Sequence, residues 1–207
     1  MHLGSKIRPY QPTDRHAVYD VCVRTAFNGG DSRDLYPDLE LMPSMFVGPY
    51  AHLEPDLAFV VDDGERATGY IVGTADTAAF FRRYRSEWLP TLVDHFPAPT
   101  KPPTTPSEEM IDLLHHPERM FPPEAAEYPA HLHICLLPSH QRSGFGRGLM
   151  ETLLGTLNSR GVANIHLGMV TANTPARAFY DRLGFHHIPT PGSDVVTYLG
   201  RSTRIES

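Results

Sequence analysis

The chain has 207 residues, 41% of them hydrophobic and 20% charged, which suits one folded domain with a real core and argues against wholesale disorder. With 18 Lys and Arg against 24 Asp and Glu, the net charge is −6, the wrong sign for sequence-independent nucleic-acid binding or docking on an anionic membrane. The two cysteines, Cys22 and Cys135, are too few for a disulfide framework or a Cys-based zinc site; both lie in apolar segments and read as free, buried thiols in a reducing cytoplasm.

No apolar run approaches the length of a membrane span. The residues from Met1 to Lys6 lack the apolar stretch of a secretory leader. A short strand is expected over Lys6 to Tyr10. Thr13 and Asp14 then open a helix with Val18, Val21, Cys22 and Thr25 on one face. Asn28 to Asp56 is irregular, with one short helix around Ser44 to Ala51. Leu57 to Val61 and Ala67 to Thr74 form a hairpin. Asp76 caps a helix carrying Phe80, Phe81, Tyr84 and Trp88, whose rings read mainly as core, and Arg82, Arg83 and Arg85 on that helix read as a solvated face.

Nine of the 20 prolines fall between Pro97 and Pro129. Within that stretch Thr105-Pro106-Ser107-Glu108 has the form of a capping box with proline at the first helical position, followed by Met110, Ile111, Leu113 and Leu114. Residues 97–129 are therefore expected to be an ordered insertion in one domain spanning 1–207. The remainder alternates: strand His131 to Leu137, helix Gly144 to Arg160 stopped by Gly161, strand Ala163 to Val170, helix from Thr174 to Gly184, and closing strands Phe185 to Ile188 and Val195 to Leu199. Strand–helix–strand order favours a parallel pair and an α/β fold with a mixed sheet.

The segment Leu136 to Gly148 ends a strand, turns, and starts a helix on glycines. Unpaired N–H groups of a first helical turn, together with the helix dipole, make an anion site. Gly144 and Gly146 bring backbone close, and Gln141, Arg142 and Arg147 add donors. A merely close-packed turn would use the same glycines. Neither a P-loop nor a Gly-x-Gly-x-x-Gly fingerprint is present, since position 149 is Leu149.

The spacing Gln141-x-x-Gly144-x-Gly146 resembles the Q/R-x-x-G-x-G/A signature of the GNAT N-acetyltransferases. The run from Asn173 through Ala176, Phe179 and Tyr180 to Gly184-Phe185 is similar to that family's second motif. Further stretches, Ile7 to Tyr10, Tyr70 to Asp76, Glu87 to Pro90 and Asp194 to Arg201, resemble the acetyltransferase-like C-terminal domain of animal O-GlcNAcase and suggest a free-standing bacterial relative of it. In that animal domain, generally regarded as a pseudo-acetyltransferase, the phosphate loop is degraded; in this chain it is intact. The glycosidase activity of the animal enzyme belongs to a separate domain.

The resemblance implies a GNAT fold and acetyl-CoA as co-substrate. The pyrophosphate would sit on Gln141, Arg142, Ser143, Gly144, Phe145, Gly146 and Arg147. The pantetheine would bond the backbone of Ile134 and Leu136, Asn173 would lie against the pantetheine arm or the pyrophosphate, and Ala176 and Phe179 would also contact the cofactor. Tyr180 would be the general acid that protonates the leaving thiolate. Beside those roles stand plainer ones: Asn173 as a helix cap and Tyr180 as a packed core-edge ring.

In many family members a Glu stands eleven residues before the loop; here that position is Ala130. His131 and His133 are nearby candidate bases, but strand alternation turns both away from the face of Ala130, Leu132 and Ile134 unless a bulge intervenes. The His131-x-His133 pair lacks a third ligand at suitable spacing, so no metal is expected. Two functions follow: transfer of acetyl to an unidentified primary amine, of a small molecule or a protein lysine, or a non-catalytic module that binds acetyl-CoA or a protein partner.

Overall fold

The computed structural model describes residues 4–192 and 194–205; the leader reading at Met1 to Leu3 lies outside them. Seven strands form one sheet: β1 (Lys6–Pro9), β2 (Ala58–Asp62), β3 (Ala67–Thr74), β4 (Ala130–Leu136), β5 (Asn164–Val170), β6 (His186–Ile188) and β7 (Val196–Ser202), in the order β1-β2-β3-β4-β5-β7-β6. Every neighbouring pair is antiparallel except β4 with β5. The last strand runs to Ser202 rather than stopping at Leu199, because all seven residues of β5 find partners on it.

The helices are α1 (Arg15–Val23), α2 (Leu41–Phe46), α3 (Gly48–Leu53), α4 (Thr77–Arg83), α5 (Pro106–His115), α6 (Phe145–Ser159) and α7 (Thr174–Asp181). One apolar layer joins α1, α3 and α4 to Val60, Tyr70 and Val72 on one face of the sheet. The opposite layer sets Leu149, Met150, Leu153, Leu154 and Leu157 of α6, with Tyr180 of α7, against Phe59, Val61, Ile71 and Leu132. The five α6 residues recur at helical spacing and are fully buried, as their sequence periodicity predicts.

The single short helix expected around Ser44 is instead two, broken at Val47 (φ −138°). Pro49 lacks an N–H to continue the first helix. The Ser44 carbonyl, which a continuous helix would bond to Gly48, accepts the Trp88 indole N–H at 2.9 Å. A Cβ on Gly48 would meet Tyr19 Oη at 2.4 Å and Trp88 at 2.8 Å, so only glycine fits that corner. The sulfur residues also depart from expectation: Cys22 is buried, but Cys135 is only half-buried, at the opening of β4 away from β5.

The capping box forms as the sequence predicts. Thr105 Oγ1 accepts from the Glu108 N–H, and the Glu108 carboxylate accepts from the Thr105 N–H. Leu114 of α5 packs with Phe96 on Leu41 and Met45 of α2. Arg85 pairs with Glu118 at 2.6 Å, and Arg83 with Glu87 at 2.9 Å, so two of the three arginines at the end of α4 and just beyond it are engaged. Among the described residues no helix is long and apolar enough to cross a membrane.

Candidate active site

The site begins where β4 and β5 part. They pair only at Ala130↔Ile165 and His131↔His166. Past that point β4 stays bonded to β3 in unbroken register from His131 to Leu136, so no bulge turns its side chains over. The Leu137 N–H bonds the Thr68 carbonyl at 2.9 Å. In an antiparallel ladder bonded residues alternate, so Ile134 and Leu136 aim their N–H and C=O groups into the gap. This is the backbone that, by the family resemblance, would bond a pantetheine.

At the mouth of the gap lies the loop before α6. The Gln141 side-chain amide donates to the Leu136 carbonyl at 2.9 Å, so it braces the loop against the strand end. Arg142 (φ +57°) and Gly144 (φ +87°) are both left-handed, a conformation that glycine tolerates and arginine does not favour. Ser143 Oγ folds onto the Gln141 carbonyl at 3.2 Å. The first α6 bond is Gly148 N–H to Gly144 C=O, 3.0 Å. Among the described residues the N–H groups of 142–147 have no backbone acceptor, and open space surrounds the Gly144 Cβ position. Six consecutive free donors on a left-handed turn at a helix start fit an anion of the size of a pyrophosphate. Gly146 serves packing: a Cβ there would sit 3.2 Å from the Phe179 ring. Arg147 reaches Glu151 at 3.5 Å, and Arg142 is exposed at the loop tip.

Helix α7 forms the far wall. Asn173 caps it, Oδ1 accepting from the Ala176 N–H at 3.2 Å, and this leaves its amide N–H pair uncommitted among the described residues. Ala176 and Phe179 pack on the apolar layer. The Tyr180 ring lies between Phe179 and Phe185, at 5.2 and 5.5 Å. Its Oη has no hydrogen-bond partner among the described residues. Burial pushes the phenol's pKa up, with a smaller push from the Cys135 thiol, so the O–H keeps its proton at neutral pH.

The other face of β4 is polar. His131 and His133 do point away from Ala130, Leu132 and Ile134, as alternation predicts. Both meet Tyr50 of α3: its Oη lies 2.6 Å from His131 Nε2 and 3.0 Å from His133 Nε2. Burial drives the His131 pKa far down, and pushes His133 down to about 4. Sequence reasoning missed Tyr50 and Thr77, which holds His131 Nδ1 at 2.7 Å. The available signal was two polar residues in an apolar strand, which need buried partners. Among the described residues no three His, Cys, Asp or Glu side chains converge as metal ligands would.

The chain belongs to the acetyltransferase (GNAT) family, whose model matches residues 30–185. It is similar to Protein O-GlcNAcase of Rattus norvegicus, 27% identical over 201 residues; the match covers 95% of this chain but only 22% of that protein's length. It is also similar to the [Ribosomal protein bS18]-alanine N-acetyltransferase of Escherichia coli K12, 43% identical over 72 residues, 35% of this chain and 49% of that one. The crystal structure of SsHAT superposes with a TM-score of 0.94 at 59% identity, covering 98% of this chain and all of that one.

Proposed function

We propose that this protein binds acetyl-CoA along the β4–β5 gap and transfers its acetyl group to a primary amine by direct attack on the thioester. The observation that carries the reading is the run of free N–H groups at 142–147 opening onto the unpaired edge of β4. Arg142 and Arg147 supply positive charge for the phosphates. The N–H and C=O of Ile134 and the N–H of Leu136 take an extended amide chain as a partner strand would, the Leu136 N–H facing the acetyl oxygen, where a fixed donor polarises a carbonyl. Asn173, Ala176 and Phe179 line the same path. Tyr180 donates its O–H to the sulfur as charge develops there, an interaction worth most in the transition state.

The acceptor is an amine presented from the α2–α3 side, in a single domain to which residues 97–129 contribute a wall. Thermal unfolding with and without acetyl-CoA tests the binding. A ligand at a hundred times its Kd stabilises by about 2.7 kcal/mol. Gly144→Asp should abolish the shift, because it places a negative carboxylate among the phosphate donors; no shift in the wild type at millimolar acetyl-CoA would defeat the reading. Thiol release is then followed over an amine panel containing an alanine-initiated peptide, a lysine peptide, a polyamine, an aminoglycoside and an amino sugar. Binding without release across the panel would favour the non-catalytic module, which the alanine at position 130 and the similarity to O-GlcNAcase also favour.

A further inference from the structure

The hydrogen-bond network on the polar face of β4 has a direction, and one carbonyl sets it. The Pro129 C=O can only accept, and it takes the Thr77 hydroxyl proton at 2.8 Å. A hydroxyl has one proton to give. Thr77 Oγ1 therefore accepts from His131, whose Nδ1 must carry the hydrogen. His131 is buried and neutral, so its Nε2 holds a lone pair and accepts the Tyr50 O–H. Tyr50 has then spent its proton, and its oxygen accepts from His133 Nε2–H. What remains at the end of the chain is a lone pair on His133 Nδ1. No described residue bonds to that atom, and His133, unlike His131, keeps contact with solvent.

His133 stands on the strand that borders the gap. His133 is two residues beyond the last β4–β5 pair, with the Phe46 ring of α2 at 5.2 Å. Cys135, next on the same face, is close enough to Tyr180 for thiol and phenol to interact electrostatically. The phenol belongs to the apolar layer on one side of β4, and the imidazole to the layer on the other.

We propose that His133 is the general base of the acetyl transfer, its Nδ1 taking the proton that the acceptor amine sheds, with Tyr50, His131 and Thr77 as positioning residues. The proposal rests on the function proposed above. A neutral amine forms the C–N bond at the thioester carbonyl carbon. The C–S bond breaks and its electron pair leaves on sulfur. The nitrogen's proton passes to His133 Nδ1, and sulfur takes the proton of Tyr180 Oη. The imidazolium then returns its proton to solvent while the phenolate regains one. An acceptor that arrives as an ammonium first gives one proton to solvent.

The titratable groups facing His133 are Tyr50 from α3, His131 from β4 and His166 from β5, with Cys135 next along the same face of β4; among the described residues no carboxylate or arginine bonds to it. Burial, and then His166, disfavour its charged form. The lone pair is therefore available throughout the neutral range, and the acid limb of kcat belongs well below the ordinary histidine value of about 6.5.

Three measurements test this. Calorimetry with acetyl-CoA separates the two proposals: failure to bind overturns the proposed function, whatever His133 does. In wild-type protein labelled with 15N-histidine, long-range proton–nitrogen correlations read the tautomers without any acceptor. His133 should be Nε2–H and His131 Nδ1–H; His133 protonated on Nδ1 at neutral pH overturns the base. With acetyl-CoA and any panel amine that turns over, His133→Gln should lower kcat by roughly 10²–10⁴ while acetyl-CoA affinity holds. Unchanged turnover, or acetyl-CoA binding with no turnover over the whole panel, overturns the base. Tyr50→Phe should release the His133 tautomer and move the acid limb, which a merely structural role for Tyr50 would leave in place. If His133→Gln does not fold, His133→Asn and the wild-type tautomer measurement decide.

Discussion

The two faces of β4 are built on opposite principles although their residues alternate along one strand. Ala130, Leu132 and Ile134 meet the leucines of α6, and that face is held by burial and shape alone. His131 and His133 meet Tyr50 and Thr77, and that face is held by directed bonds between neutral polar groups. An apolar face tolerates an exchange of similar shape; a buried polar network loses a bond and strands a donor when one member goes. The difference separates the work: one face fixes where the strand lies, and the other carries the groups able to move protons. Tyr180 is anchored in the first layer, its ring between Phe179 and Phe185.

The largest effect is expected from Tyr180, in the apolar layer. Tyr180→Phe keeps the ring between Phe179 and Phe185 and removes only the O–H, so stability and acetyl-CoA affinity should hold while kcat falls by roughly 10²–10⁴. Single-turnover kinetics with a working amine would check this, and wild-type turnover in the variant would take Tyr180 out of the mechanism.

Acid should attack the polar face selectively. His131, His133 and His166 all bind a proton less readily folded than unfolded, because burial disfavours the cation. As pH falls below about 6.5 the unfolded chain takes up protons first, so stability is full above that value and declines toward the folded pKa of each group. For His133 the decline ends at about 4. Each histidine contributes up to about 1.4 kcal/mol per pH unit, about 4 for all three together. Urea midpoints at pH 7 and pH 5 measure it; equal midpoints would mean that these rings are solvated when folded.

The apolar face should respond to lost volume instead. Leu153 is fully buried, and a Cβ on Gly73 would come within 3.2 Å of it. Leu153→Ala should cost about 2–5 kcal/mol in urea denaturation, with the pH dependence unchanged. The smallest effect is expected from Thr77→Val, which keeps the shape and removes one hydroxyl. It leaves the His131 Nδ1–H without its acceptor, at a cost of about 1–3 kcal/mol. A change in the His131 tautomer should accompany that loss, and a stable variant with the tautomer intact would show that the network is not oriented from Pro129.

What could be read from the sequence follows the range of the interactions. The α6 stripe, the capping box at Thr105 and the glycine loop are local patterns, and each forms where the residues place it. Even the sidedness of His131 and His133 came from alternation alone. The break at Val47 was only partly legible: Pro49 is a local signal, but the competitor for the Ser44 carbonyl is Trp88, 44 residues away. The network was hidden for the same reason: Tyr50 lies 81 residues from His131 in sequence, and in an apolar helix it reads as core. Gln141 was legible as a loop residue but not as a brace, since its bond to Leu136 depends on how the strand ends.

The parting of β4 from β5 places a sheet edge inside the molecule rather than at its rim. The Ile134 and Leu136 amides belong to a central strand yet have no strand across from them. Amide protons in the middle of a sheet ordinarily exchange with solvent deuterium only when the protein opens widely. These two should exchange early in the free protein, far ahead of Cys135 and His133, which bond to β3. An extended ligand in the gap would reverse that order, slowing both by the bonds it supplies. The protection pattern along four residues of one strand would thus register occupancy of the gap without any chemical turnover.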